Sequence, residues 1–377
     1  PAATRTLPPP ARVGMHLSEV DTPALLLDLD AFEGNLDTLD QTLQGRRVKV
    51  RPHAKSHKCA RIALAQMARG AVGVCCQKVS EAEALVDGGV TNVMVSNEVV
   101  GESKLRRLAR LARRAQVLVL ADHPDNVRAL EAAAVAEGSN LEVLVEVDVG
   151  ASRCGVAPGE PAAELASLIA AQTRLRFGGI HAYQGGAQHL RTPAERETAI
   201  TRAVALVRET VAAMRKRGLQ PATITGAGTG TYPLEAGSGL YNEIQPGSYV
   251  FMDADYGRNL ESDGRPVHTF RQSLFILATV MSRPTPTRAV VDVGLKAHSV
   301  DSGMPLVADV EGAKYLRASD EHGVIELPPG TDVPLGTKIR LIPGHCDPTV
   351  NLYDWLVCLR AGRVEDIWPV SARGAFY

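Results

Sequence analysis

Stacking surfaces and charge of one sign are both scarce in this sequence. Aromatic residues make up 4% of its 377 residues, and 41 Lys and Arg against 42 Asp and Glu leave a formal net charge of −1. Without an excess of positive charge, no whole-protein field draws the chain to nucleic acid or to an anionic membrane. With so few rings there is little on which bases could stack. Any partner must be recognised locally, which points to a small molecule. No apolar run approaches the roughly 18 residues of a membrane span, and the opening PAATRTLPPPARVG has no signal-peptide apolar core, so a cytoplasmic protein is expected. The six cysteines, at 59, 75, 76, 154, 346 and 358, show neither C-x-x-C spacing nor disulfide-scaffold density, which fits reduced thiols.

What the chain does have is alternation. From residue 24 to about 255, β-rich runs alternate with amphipathic stretches: ALLLDL or VKVRPHA first, then AVGVCC, NVMVSN, QVLVLAD, LEVLVEVDV, RFGGIHAYQ, ATITGAG and IQPGSYVFMD. Between them lie helical patterns such as ESKLRRLARLARRA, with Leu105, Leu108 and Leu111 on one face, and TPAERETAITRAVALVRETVAAMRKRG, closed by Gly218. Roughly eight such units predict an α/β fold, a (β/α)8 TIM-type barrel, with a doubly wound open sheet as competitor. After about residue 256 the helical period stops and strand and turn chemistry takes over. The expected organisation is a partly flexible segment over 1–20, a barrel over 21–255 and a C-terminal antiparallel β domain over 256–377.

In a parallel barrel, functional side chains gather where strands end and βα loops begin. Those positions hold His53, Lys55 and His57 after VKVRP, Gln77 after AVGVCC, Asn97 and Glu98 after NVMVS, and Arg153 after VEVDVG. They also hold His181, Tyr183 and His189 after FGG, and GAGTG after ATIT. Each alone has an ordinary explanation: a lysine in a HAKSHK turn is most often a solvated cation. Their convergence changes that. Lys55 should project into the barrel mouth, where burial and nearby cations would lower its pKa and free its amine to attack a carbonyl. The loop TGAGTGTY (225–232) and the start of QPGSYVFMD (245–253) offer glycines, amides and hydroxyls that could wrap a phosphate, late in the barrel where this architecture commonly binds one. A Schiff-base lysine with a phosphate cradle suggests pyridoxal 5'-phosphate.

His345 and Asp347 bracket Cys346, and on an extended segment both would point to one face while Cys346 points away. Imidazole plus carboxylate suits a divalent ion such as Mn2+, with Mg2+, Co2+ or Zn2+ as alternatives.

Together, DTPALLLDLDAFEGN, RPHAKSHK, CCQKVSEAE, VEVDVGASRCGV, ITGAGTGTY, PGSYVFMD and GHCDPTVNLYDW, spread in order over residues 21 to 355, resemble the D-threonine aldolase and D-serine dehydratase family. The resemblance implies the alanine-racemase-type fold and a homodimer. It makes Lys55 the Schiff-base lysine, places Arg153 beside the cofactor and Tyr183 near its ring nitrogen, and gives the phosphate end to Thr225, Gly228, Thr229, Gly230, Gly247, Ser248 and Tyr249, with Gln77 a further pocket group. The dehydratases favour His and Cys at the two metal positions, whereas HCDPTVNLYDW is most similar to the aldolases. The implied activity is metal-assisted retro-aldol cleavage of a D-β-hydroxy-α-amino acid, and our own choice for the base that takes the hydroxyl proton is His189 in GGAQHL. The alternatives are a D-threo-3-hydroxyaspartate or D-serine dehydratase using the same site, and a non-catalytic pyridoxal-phosphate carrier.

Overall fold

The computed structural model describes residues 7–377. The first six residues of the expected flexible segment lie outside it; the rest of that segment is packed, with Leu7 accepting a hydrogen bond from Trp355 Nε1 and His16 bridging to Arg363.

Eight parallel strands form the first sheet. Lys49–Val50, Val74–Cys76, Asn92–Glu98, Gln116–Ala121, Leu141–Glu146, Leu175–His181, Thr223–Gly226 and Glu243–Ile244 are arranged so that the first and second in the chain lie at opposite ends of the order. No ladder joins those ends as the expected closed barrel would require. They meet through one isolated bridge, His53 to Cys75, and bonds from Val72 N to Val50 O and Cys75 N to Pro52 O. Pro52 lacks an N–H and Gly73 lies at φ +151°, so the pairing cannot run on regularly here. Both faces of the sheet are buried: Val93 and Val95 pack outward under the helices, while Met94, Leu118, Leu120 and Leu144 fill the interior. Two buried faces explain why these strands read as near-continuous apolar runs.

The helices form where the period predicts them. Glu102–Leu111 buries Leu105, Leu108 and Leu111. Pro193–Lys216 starts on a Thr192/Glu195 capping box with Pro193 in its first turn. The last expected strand is cut short: after Ile244 the chain turns at Pro246, and Ser248–Val250 form a 3-10 turn.

The C-terminal part forms a second, nine-stranded sheet, antiparallel apart from one pairing. Ala24–Asp28 lies in its middle, antiparallel to Leu274–Thr285 and parallel to Trp355–Arg360. The run ALLLDL is therefore a β-domain strand, and VKVRPHA is the one that opens the first sheet. The helix Leu29–Thr42 follows directly and carries the chain across. No helix among the described residues is long and apolar enough to cross a membrane.

Candidate active site

Lys55 sits in a 3-10 turn, Ala54–Ser56, just past the C-terminal end of the Lys49–Val50 strand. His53 caps that turn, its Nδ1 accepting the Lys55 N–H at 3.4 Å and its Nε2 lying 3.0 Å from Ser96 Oγ. Burial, helped by the Lys55 charge, holds the His53 imidazole well below its ordinary pKa and hence neutral. His57 is wholly buried and pushed down to about 4, so it too is neutral. Lys58, at φ +50°, forms a buried ion pair with Glu81. Of the two lysines in this turn, Lys55 alone opens on the cavity, 42% of its side chain exposed, and the neutral His53 lines it as well.

That cavity, about 280 Å³, lies at the C-terminal end of the sheet. Lys55, Gln77, Arg153, Tyr183, Gly228, Thr229, Gly247 and Ser248 line it, as expected. The Arg153 guanidinium stands 5.9 Å from the Tyr183 ring centroid. Three expected phosphate residues do not line it. Thr225 is buried beneath the floor, its Oγ1 accepting from Gln245 Nε2 at 2.9 Å. Gly230 spends its N–H on Gln188 Oε1 at 3.0 Å. Tyr249 spends its N–H on Thr229 Oγ1 at 3.1 Å, which ties the two glycine loops together while its ring packs in the core. Among the described residues, no hydrogen bond within the chain uses the N–H of Gly228, Thr229 or Ser248. A Cβ on Gly228 would meet Gln188 Oε1 at 2.5 Å, and one on Gly247 would meet His53 O at 3.0 Å. Unspent amides on glycine loops that leave no room for side chains suit a dianionic phosphate.

The second sheet brings a further segment against Lys55. Cys346–Val350 is a short helix with His345 as its extended N-cap, so the H-x-D pair begins a helix and is not on an extended segment as expected. Asp253 fixes that helix start by accepting Cys346 N at 2.9 Å. Asp347 is in direct contact with Lys55 Nζ across the junction of the sheets. Burial alone would lower the lysine and raise the carboxyl; their mutual attraction outweighs both, raising Lys55 and holding Asp347 at about 2. The lowered lysine pKa expected from sequence is thus reversed, because its close neighbour is an anion rather than cations. His345 Nδ1 donates to Asp301 Oδ2 at 2.7 Å, which leaves Nε2 with its lone pair.

His189 ends the 3-10 turn Gly185–His189, its Nδ1 2.6 Å from Asp255 Oδ2 and its ring 5.1 Å from that of Tyr256, which lines the cavity. Asp255 is also held by Arg191 and Arg258, and these pull its carboxyl below the ordinary range against the effect of burial. Buried His181, which lines the cavity with Gln245, contacts Glu146 and bonds Gln245 Oε1 at 3.0 Å; burial would lower its pKa, but Glu146 raises it. Elsewhere, Glu98, Asp122 and Cys154 place three donor atoms within 4.8 Å of one another. Asp253, Asp255 and Tyr256, in MDADYGRN, were missed from sequence, although three polar groups directly after the last strand of a barrel were a signal. Asp301 offered none, since its partner is 44 residues away.

The family description "Alanine racemase, N-terminal domain" matches residues 27–255, and "Putative serine dehydratase domain" matches 273–359. A 3-hydroxy-D-aspartate aldolase from Paracoccus denitrificans (strain Pd 1222) is 48% identical over 372 residues, covering 98% of this chain and 96% of that one. A D-threonine aldolase from an Arthrobacter sp is 47% identical over 369 residues, covering 98% and 97%. The crystal structure of D-threonine aldolase from Filomicrobium marinum superposes with a TM-score of 0.94 at 50% identity, over 98% of this chain and 100% of that one.

Proposed function

The chain belongs to the alanine-racemase-like, fold-type III family of pyridoxal-phosphate enzymes, closely related to D-threonine and 3-hydroxy-D-aspartate aldolases, and on that premise we propose that it cleaves D-threonine and related D-β-hydroxy-α-amino acids to glycine and an aldehyde. What carries this is the junction of the two sheets, where the Lys55 ammonium from the first meets the Asp347 carboxylate from the second over a cavity with unspent phosphate donors.

Gly228, Thr229, Gly247 and Ser248 would hold the cofactor's phosphate, Lys55 would bind it covalently, and Arg153 with Tyr183 would flank its ring. Bound there, pyridoxal phosphate supplies the electron sink that a carbon–carbon cleavage next to an amine requires. Asp347 keeps Lys55 protonated until that nitrogen is engaged. Once Lys55 no longer offers its charge, Asp347 is a buried carboxylate without a counterion, a state that favours capture of another cation. His345 Nε2 and an Asp347 oxygen are a donor set for a divalent ion such as Mn2+, which would lower the pKa of a bound hydroxyl. His189 has its proton fixed on Nδ1 by Asp255, so Nε2 is the atom that takes the hydroxyl proton.

Incubation with pyridoxal phosphate, Mn2+ and D-threonine, followed by assays for acetaldehyde and 2-oxobutanoate with and without EDTA, tests this. Acetaldehyde plus glycine, lost with EDTA, is expected. 2-Oxobutanoate would mark a dehydratase, the outcome that the domain match over 273–359 makes worth measuring. We place the enzyme in the cytoplasm as a homodimer, consistent with six free thiols, five of them buried; light scattering of the purified protein would test the dimer.

A further inference from the structure

One buried side chain grips the glycine loop of the cofactor cavity from outside it. Gln188 is 1% exposed and lies in the Gly185–His189 turn, directly before His189. Its Oε1 accepts the Gly230 N–H at 3.0 Å, and its Nε2 donates to Thr231 Oγ1 at 2.8 Å. Among the described residues, no other side chain bonds a backbone group of loop 228–231. The fit is close, since a Cβ on Gly228 would meet Gln188 Oε1 at 2.5 Å and one on Gly230 would meet Gln188 O at 2.5 Å. Ala227, which opens the loop, sits at φ +69°, a conformation that a residue with a Cβ keeps only where its surroundings over-determine it.

The other end of Gln188 is tied to the partner of His189. Gln188 O accepts from Asn259 Nδ2 at 2.9 Å, Asn259 Oδ1 accepts from Arg191 Nη1 at 2.7 Å, and Arg191 Nη2 donates to Asp255 Oδ1 at 2.6 Å. Asp255 Oδ2 lies 2.6 Å from His189 Nδ1, and His189 follows Gln188 in the chain, so the ring of contacts closes on itself. Gln188, Asn259 and Asp255 are all buried. Dropping one of these bonds would leave a buried polar group without a partner, so the members of the ring move together. A displacement of the glycine loop is therefore passed to the turn that carries His189.

We propose that Gln188 is a positioning residue through which the cofactor's phosphate sets the place of His189. Phosphate on the unspent amides of Gly228 and Thr229 fixes the loop, and Gln188 hands that position to the turn. This rests on the aldolase assignment and the phosphate end proposed above. A misplacement of about 1 Å can cost about 10²-fold in rate, so the coupling should be read in kcat.

The test divides the cofactor. In 5'-deoxypyridoxal a methyl group stands where the phosphate ester was, so no hydroxyl can close on the aldehyde, and phosphite supplies a free dianion. In the parent enzyme with Mn2+ and D-threonine, phosphite should tighten deoxypyridoxal binding, read from absorbance, and raise kcat at saturating deoxypyridoxal by about tenfold or more. In Gln188→Met, which fills the same space without the amide, phosphite should still tighten binding but no longer raise kcat. With pyridoxal phosphate itself, kcat of Gln188→Met should fall by about 10- to 10²-fold while KM for D-threonine moves little. Added to His189→Asn, the same substitution should cost about twofold or less, because Gln188 acts through His189.

Phosphite that tightens deoxypyridoxal binding in the parent without raising kcat overturns the proposal, and that measurement needs no variant. An equal loss from Gln188→Met in the parent and in His189→Asn overturns it too, since a merely structural role costs the same in both. Phosphite that leaves deoxypyridoxal binding unchanged removes the phosphate cradle, and a parent that releases no acetaldehyde with pyridoxal phosphate removes the aldolase assignment. Either takes the proposal with it, at a step that the separate readings identify.

Discussion

Asp347 touches two chemistries, and separating them tests the site. If Lys55 is the group that binds the cofactor covalently, as proposed, then in Lys55→Ala borohydride should no longer fix the cofactor to the chain and aldehyde release should vanish. Asp347→Asn leaves Lys55 in place, so borohydride should still trap the cofactor on the Lys55 peptide by mass spectrometry while Mn2+ no longer stimulates turnover. Persistent Mn2+ stimulation would move the ion elsewhere, and the Glu98, Asp122 and Cys154 cluster is the place to look. A third substitution addresses the base. Asp255→Asn can accept one hydrogen bond but no longer fixes the proton on His189 Nδ1 as a carboxylate does, and kcat should fall by about 10²-fold with cofactor absorbance unchanged. Single residues of the site were legible where the chain itself supplied the context, as with Lys55 between a strand and a turn or Gly228 in a glycine run. Their partners were not, because Asp255 with His189 and Asp301 with His345 are pairings made only by the fold. Thr225 was misplaced for the opposite reason: a hydroxyl at a strand end can face the ligand or the floor, and here Gln245 takes it.

The short helix Tyr232–Gly237, directly after the phosphate loop, shows how an element carries a pH dependence. Its Glu235 is buried, accepts from Thr231 Oγ1 at 2.8 Å, and is raised by burial from 4.5 to about 8. The folded chain thus keeps a proton that the unfolded chain gives up near its ordinary value. The associated stability is present below about pH 4.5 and is lost as pH rises through about 8. Glu235→Gln, neutral at every pH, should stabilise the cofactor-free protein at pH 8 by about 4 kcal/mol and do little at pH 4, measured by urea unfolding. His57 acts in the opposite window. Its imidazole is neutral in the fold down to about 4, so stability present above 6.5 is lost as pH falls toward 4, by up to about 3 kcal/mol. His57→Gln, which can still accept the Cys59 N–H, should flatten that arm of the profile. Elements themselves were the most legible level, because strands with two buried faces and helices with a single leucine stripe leave different periods. The exceptions came where Pro or a cap broke the period, at Pro246 and at His345, where a strand-like run becomes a turn or a helix start.

Two sheets share one site, so the enzyme depends on their being held in register. The end of the helical period at about residue 256 could be read in the sequence, but the placement of Ala24–Asp28 could not, since an apolar five-residue strand carries no record of which sheet it joins. That strand makes the chain cross between sheets on entering and on leaving the first sheet, and buried Asn35 on the following helix fastens the second crossing. Its side chain donates to Arg271 O at 2.8 Å and accepts Arg271 N at 2.7 Å, a reciprocal pair at the point where the chain leaves the first sheet for the second. Asn35→Ala deprives both backbone groups of their partner, at about 1–3 kcal/mol for each that stays dry. If the clamp sets the distance between Lys55 and Asp347, the loss should go beyond stability. Asn35→Ala should lower the urea midpoint and also weaken Mn2+ stimulation more than cofactor binding, because the proposed cradle is carried by loops of the first sheet whereas the proposed donors His345 and Asp347 lie at a helix start between strands of the second. A variant that is less stable but keeps the parent's Mn2+ dependence would show that the strand crossing alone holds the two sheets in place.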